Sequence, residues 1–428
     1  MIKKIANSTF IYIVLFLYVY GIQYIFIPFS TRALLGIFGF FIFFLYFFKI
    51  KKKFMVNKDL LTVFIFLLFI SLSSFASMTY NNTNDIEFVR YSISMIVNMF
   101  ASYFFIKILK KLDYKLNFKT ISTLLINIIL IQVLIALIMF IYPDLTVFLF
   151  SIEKMSEETF DRNIYLSGIR FMGIGAAKTF TSGIINGFGL ILIAILLRLY
   201  KTSSKEIILL SIKFLVIFSL GMMMARTTLI GAILALVIIL LPENFNYSIS
   251  LIKKRTLFFI TLTCVTIISL FFIIIFYSDF LLVFQYGFEI FINYFKTSTF
   301  ETASTNELKE MFIFPNEIKS WIIGDAYWYN PLKGNFYYMN TDVGYSRLIF
   351  YFGLIGLFFY FSLQFFLVKA YKHFDVKFKY YIFIIIYLLI LNLKGFADLF
   401  WLNIIFFMAY ILNKNNLNKK LINSNSIK

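Results

Sequence analysis

Arg226 stands between two apolar runs, IILLSIKFLVIFSLGMMMA before it and TTLIGAILALVIILL after it. An arginine at membrane depth costs on the order of 3 kcal/mol even on lenient scales, so it normally faces an internal polar cavity. Its guanidinium is a planar fork of donors that matches a phosphate or a carboxylate. A snorkelling arginine that marks the outer interface is the plainer reading of the same residue. Arg170 precedes FMGIG, a glycine-containing turn ahead of a helix, and Arg90 lies just inside another apolar run. In TDVGYSRLIFYFGLIG (341–356), Asp342, Tyr345 and Arg347 sit where a long polar loop gives way to an apolar helix. Gly353 and Gly356 follow three apart, a spacing that lets another backbone approach one helix face closely. The preceding loop carries Trp321, Tyr327, Trp328, Tyr329, Phe336, Tyr337 and Tyr338, rings that suit stacking on sugars and equally suit the interfacial belt of a membrane protein.

These residues need a scaffold, and the composition says which. The 428 residues are 61% hydrophobic and 14% charged, with a mean hydropathy of +0.87. In water such a chain would leave large apolar patches exposed. Many stretches reach the ~20 apolar residues that cross a bilayer as a helix. The expectation is an all-α polytopic bundle forming one integral membrane domain over 1–428, with no separate soluble domain. Twelve spans are predicted: 8–28, 31–48, 60–79, 87–108, 120–142, 178–199, 207–225, 227–241, 256–277, 345–368, 380–396 and 398–412, with ten as the fallback. The N-terminal apolar run is too long for a signal peptide and is read as a retained first span. The single cysteine, Cys264, cannot form an internal disulfide, and the single histidine, His373, makes a histidine-based zinc site or triad within one chain improbable.

Charge orients the spans. One set of alternate loops carries 27 of the 40 basic residues and five of the 21 acids, a balance of +22, against −3 on the other side. The positive-inside rule places the first set, with both termini, in the cytoplasm. The net charge of +19 is thereby a topology signal with no need for a nucleic-acid partner. Two outer loops are long, 143–177 and 278–344, and the stretch 281–295 within the second reads as a helix on the membrane surface. Arginine is two of the 27 inner cations, Arg198 and Arg255, but six of the 13 outer ones: Arg32, Arg90, Arg162, Arg170, Arg226 and Arg347. Lysine alone would serve topology, so the outer arginines point to anion recognition, with Arg32 and Arg162 the nearest to ordinary loop charges. Lys213 is read as snorkelling, and Lys394 and Asp398, four apart, as a simple pair.

WIIGDAYWYN (321–330) followed by TDVGYSRLIFYFGLIG resembles the late-loop signature of bacterial O-antigen and capsule repeat-unit polymerases, the Wzy type, which share a fold with the O-antigen ligases. RFMGIG (170–175) resembles the arginine-glycine element that ends the earlier outer loop of that family, and ARTTLIGAILAL (225–236) its S-R-T/S-x-x-x-G element. The motifs cover about a tenth of the chain. Ligases carry His, then Asn, Ser or Gln, nine residues, and G-x-x-G. Here Asp342-Val343, residues 344–352 and Gly353-Leu-Ile-Gly356 keep the spacing, with Asp342 in the histidine's place, which favours polymerase over ligase. Ala225 replaces the motif serine and removes its hydroxyl.

The resemblance implies a metal-independent glycosyltransferase of the bacterial inner membrane with no cofactor. It would move a growing glycan from an undecaprenyl-pyrophosphate donor to a sugar hydroxyl of the next lipid-linked repeat unit on the periplasmic face. Arg226 and Arg170 are the candidates to stabilise the pyrophosphate and Asp342 the candidate base. Arg347, Arg90, Tyr345, Arg162 and Trp328 are the candidate substrate contacts, and an apolar groove between spans would hold each polyprenyl tail. The expected partners are the bilayer, the two lipid-linked glycans, a chain-length regulator and a flippase. The rival classes are a flippase or transporter of the lipid-linked oligosaccharide, a ligase, and a non-enzymatic scaffold in which the outer arginines are dispensable.

Overall fold

The computed structural model describes residues 2–49, 57–200, 202–242, 252–264, 277–332 and 336–425. Among them the secondary structure is helical, apart from two isolated bridges, Tyr24 with Glu153 and Tyr329 with Tyr337. The helices are α1 (Ile2–Tyr20), α2 (Thr31–Lys49), α3 (Lys58–Asn81), α4 (Glu87–Lys111), α5 (Phe118–Ile141), α6 (Pro143–Ser151), α7 (Glu157–Ser167), α8 (Phe180–Leu199), α9 (Ser204–Met224) and α10 (Thr228–Leu240). They continue as α11 (helical over 252–264), α12 (Tyr277–Thr297), α13 (Ala303–Glu310), α14 (Ile318–Ile322), α15 (Gly344–Val368), α16 (Phe378–Leu391) and α17 (Phe400–Asn425). Six of them, α3, α4, α5, α8, α9 and α15, are long and apolar enough to cross a bilayer, and the chain is a multi-pass membrane protein. The apolar parts of α1, α2, α10, α16 and α17 are shorter and coincide with other predicted spans; the ninth predicted span, 256–277, lies mostly outside the described residues.

Local chemistry sets the helix ends. Asn57, Asn117, Ser156 and Ser203 accept backbone N–H groups as N-caps, and Ser203 with Glu206 closes a full capping box. The first span ends at Tyr20, eight residues before its predicted end. Gly21 turns the chain with φ 53°, and Arg32 donates to the freed carbonyls of Tyr18 at 2.7 Å and Val19 at 2.6 Å. Arg32 also lies over the Trp401 ring, so this arginine is a helix cap rather than a loose loop charge. On the opposite side, Arg198 and Arg255 both donate to the Leu241 carbonyl that ends α10. Lys213 does not merely snorkel: its Nζ donates to Asn127 Oδ1 at 2.5 Å, inside the bundle.

The centre of the bundle is α8, buried along nearly its whole length against α10, α9 and α5, while α17, also deeply buried at its start, packs on α4. Close approach is made by small residues, as expected where burial of apolar surface does not drive helices together. A Cβ on Gly231 of α10 would lie 2.2 Å from Gly187 Cα of α8, and one on Gly39 of α2 would lie 1.9 Å from the Phe100 carbonyl oxygen of α4.

The helix α15 departs from expectation. Gly353 does not sit on a regular helix face; the helix breaks at Phe352 (φ −135°) and Gly353 (φ 65°). The break frees the carbonyls of Phe350 and Tyr351, and the backbone of the outer loop takes them: Asp325 N donates to Phe350 O at 2.6 Å and Ala326 N to Tyr351 O at 3.0 Å. The approaching backbone is that of Ile322 and Ile323, 2.1–2.6 Å from where a Gly353 Cβ would stand, whereas Gly356 faces only the Phe352 ring. Asn81 Nδ2 and Thr83 Oγ1, from the end of α3, hold the carbonyls of Gly324 and Ala326 in turn. The two stretches WIIGDAYWYN and TDVGYSRLIFYFGLIG are thus locked together by backbone hydrogen bonds.

Candidate functional site

Arg226 lies in the three-residue turn 225–227 between α9 and α10, at the closed end of that hairpin. The last turn of α9 is the seat on which the other parts of the site are built. Phe171 N donates to Met223 O at 3.0 Å, which docks RFMGIG there and brings Arg170 to Arg226. The backbone of Met223 also lies 3.1 Å from where a Gly287 Cβ would stand, so α12 can lie close only because that residue is glycine. Tyr286 and Glu289 flank that contact. Glu289 Oε2 pairs with Arg226 Nη1 at 2.6 Å, and the same nitrogen lies 3.4 Å from Ser304 Oγ. The Tyr286 ring lies 4.6 Å from the Arg226 guanidinium, and its hydroxyl accepts from Arg170 Nη1 at 3.2 Å. Arg170 Nε is buried without a partner among the described residues. The Nε–Nη2 edge of Arg226 also makes no hydrogen bond among them.

A third cation, Lys394, completes the group, and the sequence reading missed it. The expected pair with Asp398 does not form. Asp398 accepts from Gln364 Nε2 at 2.6 Å and from Phe400 N at 2.7 Å, as the cap of α17, and Asn392 bonds across the turn to Leu388 and Ala397. Lys394 instead lies near enough to Arg226 and Arg170 to feel their charge. Burial first, then those two guanidinium groups, push its amine down to about 8. Three cations and one carboxylate, Glu289, leave the group with a net charge of +2 when Lys394 is protonated. A prediction follows from the sign: Lys394 is charged below pH 8 and loses its proton above it. Between pH 7 and pH 9 the parent should therefore lose several-fold in affinity for inorganic pyrophosphate relative to Lys394→Arg, which keeps its charge while the ligand titrates identically in both. Titration calorimetry at the two pH values measures it.

An apolar groove of about 510 Å³ opens beside this group, within the ~300–1,000 Å³ of typical ligand cavities. It runs from Phe214 and Phe259 to Leu229, three residues from Arg226, and to Ile290, the neighbour of Glu289. All of its lining side chains are apolar, from α9, α10, α11 and α12 together with Phe300.

The remaining predicted residues form a second group at the starts of α4 and α15. Arg347 is 7% exposed and sandwiched between rings, its guanidinium carbon 3.7 Å from the Trp328 centroid and 3.4 Å from that of Tyr337. Trp328 is 6% exposed, so the cation and not a sugar occupies its face. Its backbone N donates to Asp85 Oδ2 at 2.8 Å. Glu87, Asp342 and Tyr329 lie close enough to Arg347, and Arg90 to Glu87, to interact electrostatically. Asp342 and Arg90 are exposed. Tyr329 and Tyr337 stack at 5.8 Å, and burial followed by the Glu87 charge raises the Tyr329 hydroxyl above its ordinary value.

Of the predicted site residues, then, the structure brings Arg170 and Arg226 together in one group, and Asp342, Arg347, Arg90 and Trp328 in another. Arg347 and Arg90 do not flank Arg226. Tyr345 ties helices: its hydroxyl donates to Leu389 O at 3.0 Å. Arg162 is exposed on α7, without a contact to either group among the described residues. The two groups adjoin through the backbone, because Tyr345 N donates to Asn392 O at 3.2 Å and Gly344 packs on Asn392 and Gly395. Asp342 and Lys394 therefore sit on neighbouring strands of chain. No protein-family model, curated protein or solved structure matches this chain.

Proposed function

We propose that this protein is a membrane glycosyltransferase of the O-antigen and capsule polymerase type. It extends an undecaprenyl-pyrophosphate-linked glycan at the outer face of the bacterial inner membrane. The observation that carries the reading is the cation group Arg170–Arg226–Lys394 beside an all-apolar groove, the two halves of a polyprenyl diphosphate site. The donor diphosphate diester bears about two negative charges, which the net +2 of the group balances. In the reaction the bond between the donor sugar's anomeric carbon and the diphosphate oxygen breaks, and its electron pair leaves with the diphosphate. The cations hold that charge in a low-dielectric setting. The acceptor hydroxyl oxygen forms the new glycosidic bond and gives its proton to Asp342. The second group, mixed in charge and rich in tyrosine, suits the saccharide of the acceptor rather than a second diphosphate. A transporter would need no such second group, which favours transfer over flipping.

The test is transfer by the purified protein from a short-chain polyprenyl-diphosphate glycan to a second copy. The parent should produce a ladder of lengthened glycans, and Asp342→Asn should cut it at least tenfold with the fold intact. Asp325 is a poor control for it, because that carboxylate accepts from Ser320 Oγ and Tyr338 Oη and holds the loop. A parent that moves the lipid across vesicles without lengthening the glycan would establish the flippase reading instead. In cells, loss of a polymerase leaves single repeat units capped on lipid A, whereas loss of a flippase abolishes surface sugar.

The orientation belongs to the same proposal. Reporter fusions after Lys111, Ser156, Lys254 and Glu307 should read in, out, in, out. Cytoplasmic activity at Glu307 would overturn it, because Arg226, Lys394 and the whole loop 278–344 share one side.

A further inference from the structure

Glu289 is the only carboxylate paired with the three cations among the described residues, and it meets Arg226 Nη1 at 2.6 Å. The pair is not deeply buried; the side chains are 12% and 25% exposed, so an incoming ligand can reach it. Glu289 rides on α12, which breaks from helical geometry at Phe288, directly before it. The next two residues on the same helix, Ile290 and Phe291, line the apolar groove. One short segment therefore carries both a competitor for the headgroup cations and a wall of the tail groove.

Resting on the function proposed above, we propose that Glu289 is a built-in competitor for the diphosphate. It occupies Arg226 in the empty protein, yields it to the donor, and takes it back to release the polyprenyl diphosphate product. The chemistry requires such a device. Transfer turns a diphosphate diester of about two negative charges into a monoester of about three, so product binds a fixed cation group more tightly than substrate does. A carboxylate tethered beside Arg226 offsets that gain without a further reactant. The break at Phe288 lets Glu289 swing while the first half of α12 keeps its seat on α9.

The experiment uses the purified full chain in nanodiscs with farnesyl diphosphate as the probe and farnesol as the tail-only control. Glu289→Gln should bind farnesyl diphosphate about tenfold more tightly than the parent and release it more slowly. In the transfer assay its kcat should fall through slower product release while kcat/KM rises, a split that a merely structural pair would not give. Glu289→Asp should restore parental values. Equal or weaker binding by Glu289→Gln overturns the inference. Hydrogen exchange on the parent gives an arm that needs no variant: farnesyl diphosphate should speed exchange in 288–297, and unchanged or slower exchange there overturns the inference as well. Absence of farnesyl diphosphate binding by both parent and variant would instead sink the diphosphate site, and the inference with it.

Discussion

Arg226→Lys should make little or no polymer although it keeps the charge. Arginine at this position presents two edges. Nη1 is engaged by Glu289 at 2.6 Å and faces Ser304, while the Nε–Nη2 edge makes no hydrogen bond among the described residues. A lysine ammonium keeps one point of charge for the phosphate, but it lacks the rigid planar fork that lets a guanidinium hold two oxygens at once. The Tyr286 ring, 4.6 Å from the guanidinium, adds a stacking partner suited to a planar group. Loss of one charge-assisted hydrogen bond of ~1.5–3 kcal/mol, if it is made in the transition state, lowers the rate roughly ten- to hundred-fold. Arg170→Lys should lose activity for the same reason. The exposed Arg162→Lys on α7 is the control and should behave as the parent. The measurement is surface-polymer length at matched protein level. Parental polymer from both Arg226→Lys and Arg170→Lys would reduce these arginines to topology markers.

Gly353→Ala should cost the protein its folded outer loop. The residue sits at φ 65°, where a side chain is strained, and its Cβ would stand 2.1 Å from the Ile322 carbonyl oxygen. Nothing flexible can give way, because the opposing atoms are backbone. Strain and overpacking together are worth about 2–5 kcal/mol, a large share of the stability of any domain. The same argument applies to Gly324 (φ 85°), whose Cβ would meet the backbone of Tyr351 and Phe352 at 2.6 Å. Gly356→Ala meets the buried Phe352 side chain, its Cγ at 2.2 Å, rather than backbone, and has no positive φ to strain, so it should be milder. Thermal unfolding in detergent, with limited proteolysis of residues 298–323, compares the three. Parental stability in Gly353→Ala would mean that the loop does not dock on α15 as described.

What the sequence could disclose was whatever physics makes locally expensive. An arginine between two apolar runs is costly, so Arg226 stood out, and the glycine-containing turn after Arg170 marked a second position. Lys394 was hidden by a misleading neighbour. Asp398 at i+4 looks like its partner on a helix, but α16 stops at Leu391 and the turn sends the two residues different ways. Tyr286 and Glu289 lie on a stretch readable only as an amphipathic helix, and which of its polar groups faces Arg226 depends on Gly287 meeting Met223. The spacing of Gly353 and Gly356 announced close backbone approach, yet the helix break was not legible. Its stabilisation comes from Asn81 and Thr83, 243 residues from the carbonyls they hold. The hydropathy pattern marked the six long apolar helices; the pairing of Arg347 with Trp328 and Tyr337 was not legible, because stacking has no periodicity.

The lock between Gly324–Ala326 and the broken part of α15 divides the loop 278–344 into two tethers, which meet again where Thr341 Oγ1 donates to Met311 O at 2.6 Å. Residues 298–323 hang between α12 and the lock, and residues 327–343 return from the lock to α15. Closing a loop costs entropy that grows only with the logarithm of its length, so either tether can lengthen or shorten at small cost while the lock holds. The second tether carries Tyr329, Tyr337 and Asp342; the first adjoins the cation group. Under the function proposed above, the second tether can be rewritten toward a different saccharide with the residues of the cation group left in place, provided that the Thr341–Met311 contact is kept.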